Sequence, residues 1–206
     1  MDKFLNREEA ARQLLLHLQS YLWQTDGIVL ALPRGGVPLG RYLADALRWP
    51  LDVVVVKKIG HPDNPEFAVG SVSSTGYAVD QQQRLPPAYI QTEVKRLQRE
   101  IQKKCQRYRH HLPPPNLRDK TVLLVDDGMA TGSTMLGAIC MVRSQGAKQI
   151  IVAVPVASKE AYRRIAQRVD RVYCLATPEP FEAVGSFYED FRPVTDEEVV
   201  AHLRVD

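Results

Sequence analysis

The segment Thr121–Val125 is a short apolar, branched run that ends on adjacent aspartates, Asp126 and Asp127, and then on a loop of small residues, Gly128 to Thr134, leading straight into a helical pattern. A run with no polar alternation has to be covered on both faces, which calls for a parallel sheet between helices. Similar runs occur at Gly27–Leu32, Leu51–Val56, Ile150–Val154 and Val172–Ala176. Between them Val37, Leu39, Leu43, Ala44 and Leu47 fit one helix face, and helices are predicted from about Gly132 to Gln145, closed by Gly146, and from about Ser158 to Arg168. Alternation of strand and helix at this pace specifies an α/β fold with a parallel sheet and helices on both faces.

The remaining segments are peripheral to that sheet. Asn6 and Glu9 have the spacing of a helix N-cap and its partner, followed by Leu14, Leu15, Leu18 and Leu22 at helical intervals. Phe67–Val72 and Tyr77–Val79 flank Ser74-Thr75-Gly76 and read as a small appended hairpin. From Pro86 to His110 the residues Ile90, Val94, Leu97, Ile101, Cys105 and Tyr108 step by three or four, the stripe of a long amphipathic helix that Pro113-Pro114-Pro115 ends. The tail from Pro178 to Pro193 is irregular and rich in aromatic residues, and Thr195 caps a short final helix. At 206 residues, with no repeat or linker, the whole of 1–206 is expected to be a single domain, with 177–206 as a hood and C-terminal helix.

Cys105, Cys140 and Cys174 are odd in number, far apart and in apolar surroundings, as in a reducing compartment without zinc. Met1 to Glu8 lacks the apolar core of a secretory signal, and the longest apolar runs are strand-sized, so a cytoplasmic location without membrane association is expected. A net charge of +3 suits an anionic small molecule and falls short of a nucleic-acid footprint.

In open parallel sheets, ligands bind at the carboxyl ends of the strands. Four ends carry polar chemistry: Pro33-Arg34-Gly35-Gly36, Lys57-Lys58, Asp126 to Thr134, and Pro155-Val156-Ala157-Ser158. A small-residue loop entering a helix turns backbone N–H groups around an anion, and the helix N-terminus adds partial positive charge. Thr131, Gly132, Ser133 and Thr134 are therefore expected to cradle a phosphate. Asp126 and Asp127 would repel a bare phosphate but accept hydrogen bonds from vicinal ribose hydroxyls, so a sugar phosphate satisfies both halves. No lysine follows Gly132, against a nucleoside-triphosphatase loop, and Pro-Arg-Gly-Gly replaces the dinucleotide fingerprint after the first strand. The plainer alternative is an acidic turn with a capping loop.

Val125-Asp126-Asp127-Gly128-Met129-Ala130-Thr131-Gly132-Ser133-Thr134 resembles the 5-phosphoribosyl-1-pyrophosphate (PRPP) signature of the type I phosphoribosyltransferase family. Leu32 to Pro38, Lys57 to Gly60, Asn64-Pro65-Glu66 and Ala183 to Phe191 resemble bacterial phosphoribosyltransferase-domain proteins of unassigned acceptor, so the likeness runs over most of the chain. The resemblance implies that Asp126 and Asp127 hold the ribose hydroxyls, and that Gly128 and Met129 lead into a 5-phosphate loop from Ala130 to Thr134. It also implies that Arg34 and Gly35, with Gly36, receive pyrophosphate in a loop where the family often has a non-proline cis peptide. Asp126, Asp127 and Arg34 would be the catalytic set. Magnesium is implied through pyrophosphate and ribose oxygens and water, with no direct protein cage. Ala130 stands where hypoxanthine-guanine members carry an aspartate, which argues against a 6-oxopurine; neither adenine nor orotate is selected.

The implied reaction is displacement at C1 of PRPP by a heterocyclic nitrogen, releasing pyrophosphate. A PRPP- or nucleotide-sensing regulator that lost turnover is the alternative, and hydrolysis or synthesis of a related phosphoribosyl compound fits the same cradle. Lys57 and Lys58 are ordinarily a solvated strand terminus, yet beside pyrophosphate at least one is assigned a point-charge role. Gly60 to Glu66 reads equally as a surface loop or as a lid carrying His61 and Glu66 as acid-base groups. Phe181, Phe187 and Tyr188 lie in the implied hood over the acceptor; stacking suits them, although each taken singly reads better as a satellite core residue. The basic residues of the long helix, among them Lys95, Arg96, Arg99, Lys103 and Lys104, form a solvated face, and without aromatic interleaving or a helix-turn-helix they do not predict nucleic-acid binding. A homodimer is the expected assembly.

Overall fold

The computed structural model of the chain describes residues 3–79, 85–110 and 112–204; the side chains of Pro65 and Glu66 fall outside that description, as do Met1 and Asp2, on which part of the signal-peptide reading rests. Along the chain come α1 (Arg7–His17), β1 (Gly27–Ala31), α2 (Gly36–Leu47), β2 (Leu51–Val53), β3 (Lys57–His61), β4 (Asn64–Val72), β5 (Tyr77–Val79) and α3 (Pro87–Arg109). They are followed by β6 (Thr121–Val125), α4 (Ser133–Ser144), β7 (Gln149–Val156), α5 (Lys159–Ala166), β8 (Arg171–Ala176) and α6 (Asp196–Leu203).

The apolar runs become one parallel sheet of five strands in the order β2-β1-β6-β7-β8. Because side chains alternate across a strand, each run feeds two cores. Ile28, Leu30, Val122, Leu124, Ile150 and Val152 pack with residues of α4 and α5 on one face. Val29, Leu123, Val125, Ile151 and Ala153 pack with residues of α1 and α2 on the other. From β1 the chain passes through α2 to β2 on one side, whereas from β6 it passes through α4 to β7 on the other. Strand order thus reverses between β1 and β6, and their carboxyl ends flank the crevice where open α/β sheets bind ligands.

Several boundaries follow local chemistry. The Asn6 side chain accepts from the Glu9 N–H at the start of α1 (2.9 Å), and Thr195 and Glu198 form a reciprocal capping box at α6. The stripe Ile90, Val94, Leu97, Ile101, Cys105 and Tyr108 is buried along α3, against Ile59, Val69 and Val72 and against Val199 of α6.

Several expectations are corrected. The apolar run Leu51–Val56 is strand only as far as Val53, because its partner β1 ends at Ala31 and turns away at Pro33; composition carries no mark of where a partner strand ends. The expected hairpin is present as the β4/β5 pair, but β3 adds to it to make a separate three-stranded antiparallel sheet, with Lys57 and Lys58 opening its first strand. The segment Gly60–Glu66 is not a loop: His61 pairs with Asn64 across a turn at Pro62-Asp63. Cys140, expected in apolar surroundings, lies exposed on α4, while its neighbour Met141 is buried. All three cysteines are free thiols, and among the described residues no helix is long and apolar enough to cross a membrane.

Candidate functional site

Two loops meet at the β1/β6 crevice. After β1, Leu32 donates its N–H to Val125 O (2.8 Å), so the chain follows β6 one residue beyond the strand before the cis peptide bond between Pro33 and Arg34. Gly36 then starts α2 tight against the end of β6: a β-carbon there would lie 2.6 Å from Val125 O and 2.9 Å from Asp126 Cα. Only glycine lets these backbones approach so closely.

After β6, Met129 N–H donates to Val156 O and Ser158 N–H to Met129 O, each at 2.9 Å, while Ser158 Oγ donates to Ala130 O at 2.7 Å. These bonds anchor the loop to the end of β7. Gly132 takes the left-handed conformation (φ 71°) that turns the loop into α4, a conformation costly for a residue with a β-carbon. Ala130, Thr131 and Thr134 are exposed at the mouth, Ser133 is half-buried, and Thr131 Oγ1 accepts from Ser133 N–H at 3.4 Å. The loop entering a helix N-terminus therefore offers hydroxyls and helix-end N–H groups to an anion.

Between the loops stands the acid pair. Asp126 Oδ1 accepts from Asp127 N–H at 2.9 Å. Burial, reinforced by the neighbouring Asp127 charge, pushes the Asp126 carboxyl well above the usual range. Burial also raises Asp127, and Arg7 pulls it back.

Asp127 is also engaged within the chain. It is buried, and its Oδ2 accepts two hydrogen bonds from Arg7, from Nε at 3.0 Å and Nη2 at 2.9 Å. Nothing in the motif pointed to Arg7. It lies 120 positions away, and the one local signal was the Asn6 cap that fixes the first turn of α1.

The other expected residues fall into separate groups. Arg34 is exposed at the crevice, and its charge is felt at Tyr108 and Asp196, where Tyr108 Oη donates to Asp196 Oδ1 at 2.6 Å. Lys57 forms an ion pair with Glu100 of α3, while Lys58 is exposed on β3 opposite Ser71. His61 Nδ1 accepts from Asp63 N–H at 3.2 Å in its own turn; the side chain of Glu66 is outside the described residues. Tyr188 is buried, donating from Oη to Asp127 O at 2.6 Å, with Phe4 and Phe191 as ring neighbours. It is a packing residue and not an exposed platform. Phe181 and Phe187 pair at 5.1 Å, half-buried against the α1/α2 core. On α3, Arg96 pairs with Glu93 and Glu100, Arg107 with Asp196 and Glu197, and Arg109 with buried Asp52, so part of its basic face is neutralised within the chain.

The family model described as phosphoribosyl transferase domain matches residues 2–192. The chain belongs to the phosphoribosyl transferase domain family. A protein of Mycobacterium tuberculosis, provisionally named a phosphoribosyl transferase, is 38% identical over 208 residues, covering 98% of this chain and 47% of the relative. The chain thus spans about half the length of the curated relatives it matches. The crystal structure of TT1426 from Thermus thermophilus is 39% identical, superposes with a TM-score of 0.88, and covers 98% of this chain and 97% of its own. The structure of AQ2163 from Aquifex aeolicus, at 11% identity and a TM-score of 0.52 over 87% of this chain and 78% of its own, shares the fold alone. The parallel sheet and its flanking helices are the phosphoribosyl transferase architecture, and the crevice between β1 and β6 is its candidate active site.

Proposed function

We propose that this phosphoribosyl transferase domain binds PRPP with magnesium and transfers its 5-phosphoribosyl group to a nitrogenous base, releasing pyrophosphate. The observation that carries the reading is the meeting, at one switch point, of the Arg34 loop, the Asp126-Asp127 pair and the Thr131–Thr134 loop. Each suits a different part of PRPP: pyrophosphate, the ribose diol and the 5-phosphate. The reading takes 1–206 as one such domain with residues 177–206 as hood and final helix. Its support is the pairing of the tail with the N-terminal segment, through Phe4 N–H to Phe187 O at 2.9 Å and Glu189 N–H to Phe4 O at 2.8 Å.

In the reaction the C1–O bond breaks with its electron pair passing to pyrophosphate, and the C1–N bond forms to a ring nitrogen of the base, which gives up its proton to solvent. The residues act by placement and charge: the acid pair fixes the diol, the α4 loop holds the 5-phosphate, and Arg34 offers the leaving group a guanidinium fork. The crevice provides hard carboxyl and hydroxyl oxygens, a donor set that suits magnesium, and Asp126 and Asp127 would be the residues nearest to hold it with the substrate. When bound, magnesium would offset the charge of the departing pyrophosphate.

Arg34→Ala separates the subsites. It is expected to weaken PRPP and pyrophosphate by about tenfold or more, one charged hydrogen bond's worth, while leaving ribose-5-phosphate nearly unchanged. Calorimetry with the three ligands reads the contrast, and equal losses for all three would remove Arg34 from the pyrophosphate subsite.

A further inference from the structure

Arg7 makes more contacts at the candidate site than any role so far assigned requires. Its Nε and Nη2 both donate to Asp127 Oδ2, its Nη1 donates to Arg192 O at 2.9 Å, and its guanidinium carbon lies 4.0 Å from the centre of the Phe191 ring. The Arg7 and Asp127 side chains are only 11% and 13% exposed. The same Oδ2 lies against Gly35, where a β-carbon would stand only 1.9 Å from it. The Asp127 backbone carbonyl accepts from Tyr188 Oη at 2.6 Å, and Tyr188 packs on Phe4 and Phe191.

We propose that Arg7 is a positioning residue for ribose recognition: it holds Asp127 Oδ2 and so fixes the carboxyl plane against the β1 loop, tying α1 and the C-terminal tail into the site. Both Arg7 bonds fall on Oδ2, so Oδ1 is the oxygen of Asp127 that Arg7 does not engage. A carboxyl with one oxygen clamped presents the other in a single orientation, which is the preorganisation that a diol needs. Arg7 is suited to this because its planar fork meets a carboxylate with two donors while a third reaches a carbonyl; an ammonium cannot reproduce that set from one nitrogen position. The clamp also makes the ends of the chain, contiguous through Phe4 and residues 187–192, part of the site and not only its cover.

The inference rests on the PRPP reading, and the test keeps the two apart. Wild type, Arg7→Met and Arg7→Lys are titrated calorimetrically with magnesium-PRPP, ribose-5-phosphate and pyrophosphate, with thermal melts alongside. If wild type binds no PRPP, the PRPP reading and this inference fall together. If it binds, Arg7→Met is expected to lose roughly tenfold or more for the two ribose ligands and little for pyrophosphate, the scale of one charged hydrogen bond. Arg7→Lys is expected to recover part of that loss. Should Arg7→Met fail to fold, Arg7→Lys decides through the same contrast between ribose ligands and pyrophosphate. In a cycle with Asp127→Asn the losses should not add, because Arg7 acts through Asp127. Wild-type ribose affinity in the folded variants, or an equal loss for pyrophosphate, overturns the positioning role while leaving the PRPP reading intact.

Discussion

Gly36→Ala should melt at a lower temperature than wild type and lose most of its PRPP affinity, against the sign that helix propensity alone gives. Alanine within a helix is favoured over glycine by roughly 0.5–1 kcal/mol. The added β-carbon, however, would stand 2.6 Å from Val125 O and 2.9 Å from Asp126 Cα, backbone atoms of a central strand that cannot rotate away. Overpacking of this kind typically costs about 1–3 kcal/mol, so the steric term wins, and each kcal/mol lowers the melting temperature of a chain this long by roughly 2–4 °C. The function should suffer more than the fold. Relief requires moving α2 and the Arg34 loop away from Asp126, and misplacement by about 1 Å can cost on the order of a hundredfold in a positioned site. Thermal melts and PRPP titration of the purified variant check both effects; a variant as stable as wild type with intact affinity would show that the loops do not need this approach.

Asp126→Asn is expected to separate stability from binding in the opposite sense. Burial and the neighbouring Asp127 hold the Asp126 carboxyl well above its usual range, so the folded chain favours the neutral acid more than the unfolded chain does. The stability this group contributes is fully present below the unfolded carboxyl's value, about 4, and is lost as pH rises through the raised folded value. Asparagine does not ionise and escapes that loss. The variant should therefore be at least as stable as wild type at neutral pH, with the advantage disappearing near pH 4. PRPP affinity should fall by roughly tenfold to a hundredfold, from about 1.5–3 kcal/mol for a charged hydrogen bond to the diol. Denaturant melts at the two pH values and calorimetry at neutral pH read the two halves. Unchanged PRPP affinity would remove Asp126 from the ribose site.

Much of the fold was legible because its signals are local. The apolar run Thr121–Val125 carries its own reason to be buried on both faces, and the stripe from Ile90 to Tyr108 repeats at the helical period. The loop from Asp126 to Thr134 announced itself because acid pair, small residues and helix start are contiguous. What escaped was set by distant neighbours. Val54 makes the last bond to β1, from its N–H to Ala31 O at 3.0 Å, and Val55 and Val56 have strand composition without pairing to β1, since that depended on where β1 turned away. Lys57 met Glu100, and Asp127 met Arg7, across separations of 43 and 120 positions that no periodicity encodes. Tyr188 taken singly read as a satellite core residue, and it is buried; what its sequence did not carry was the partner of its hydroxyl, Asp127 O. In each case the residue type was informative and the partner was not.

The central claim is tested most directly by mixing the purified protein with magnesium-PRPP and a panel of purine, pyrimidine and other heterocyclic bases, and measuring pyrophosphate release. The expected result is PRPP binding that requires magnesium, and release above the no-base control with at least one base, abolished in the Asp126→Asn, Asp127→Asn double variant. PRPP binding without release for any base would contradict transfer and favour a sensor that kept the cradle; no PRPP binding at all would contradict the site itself.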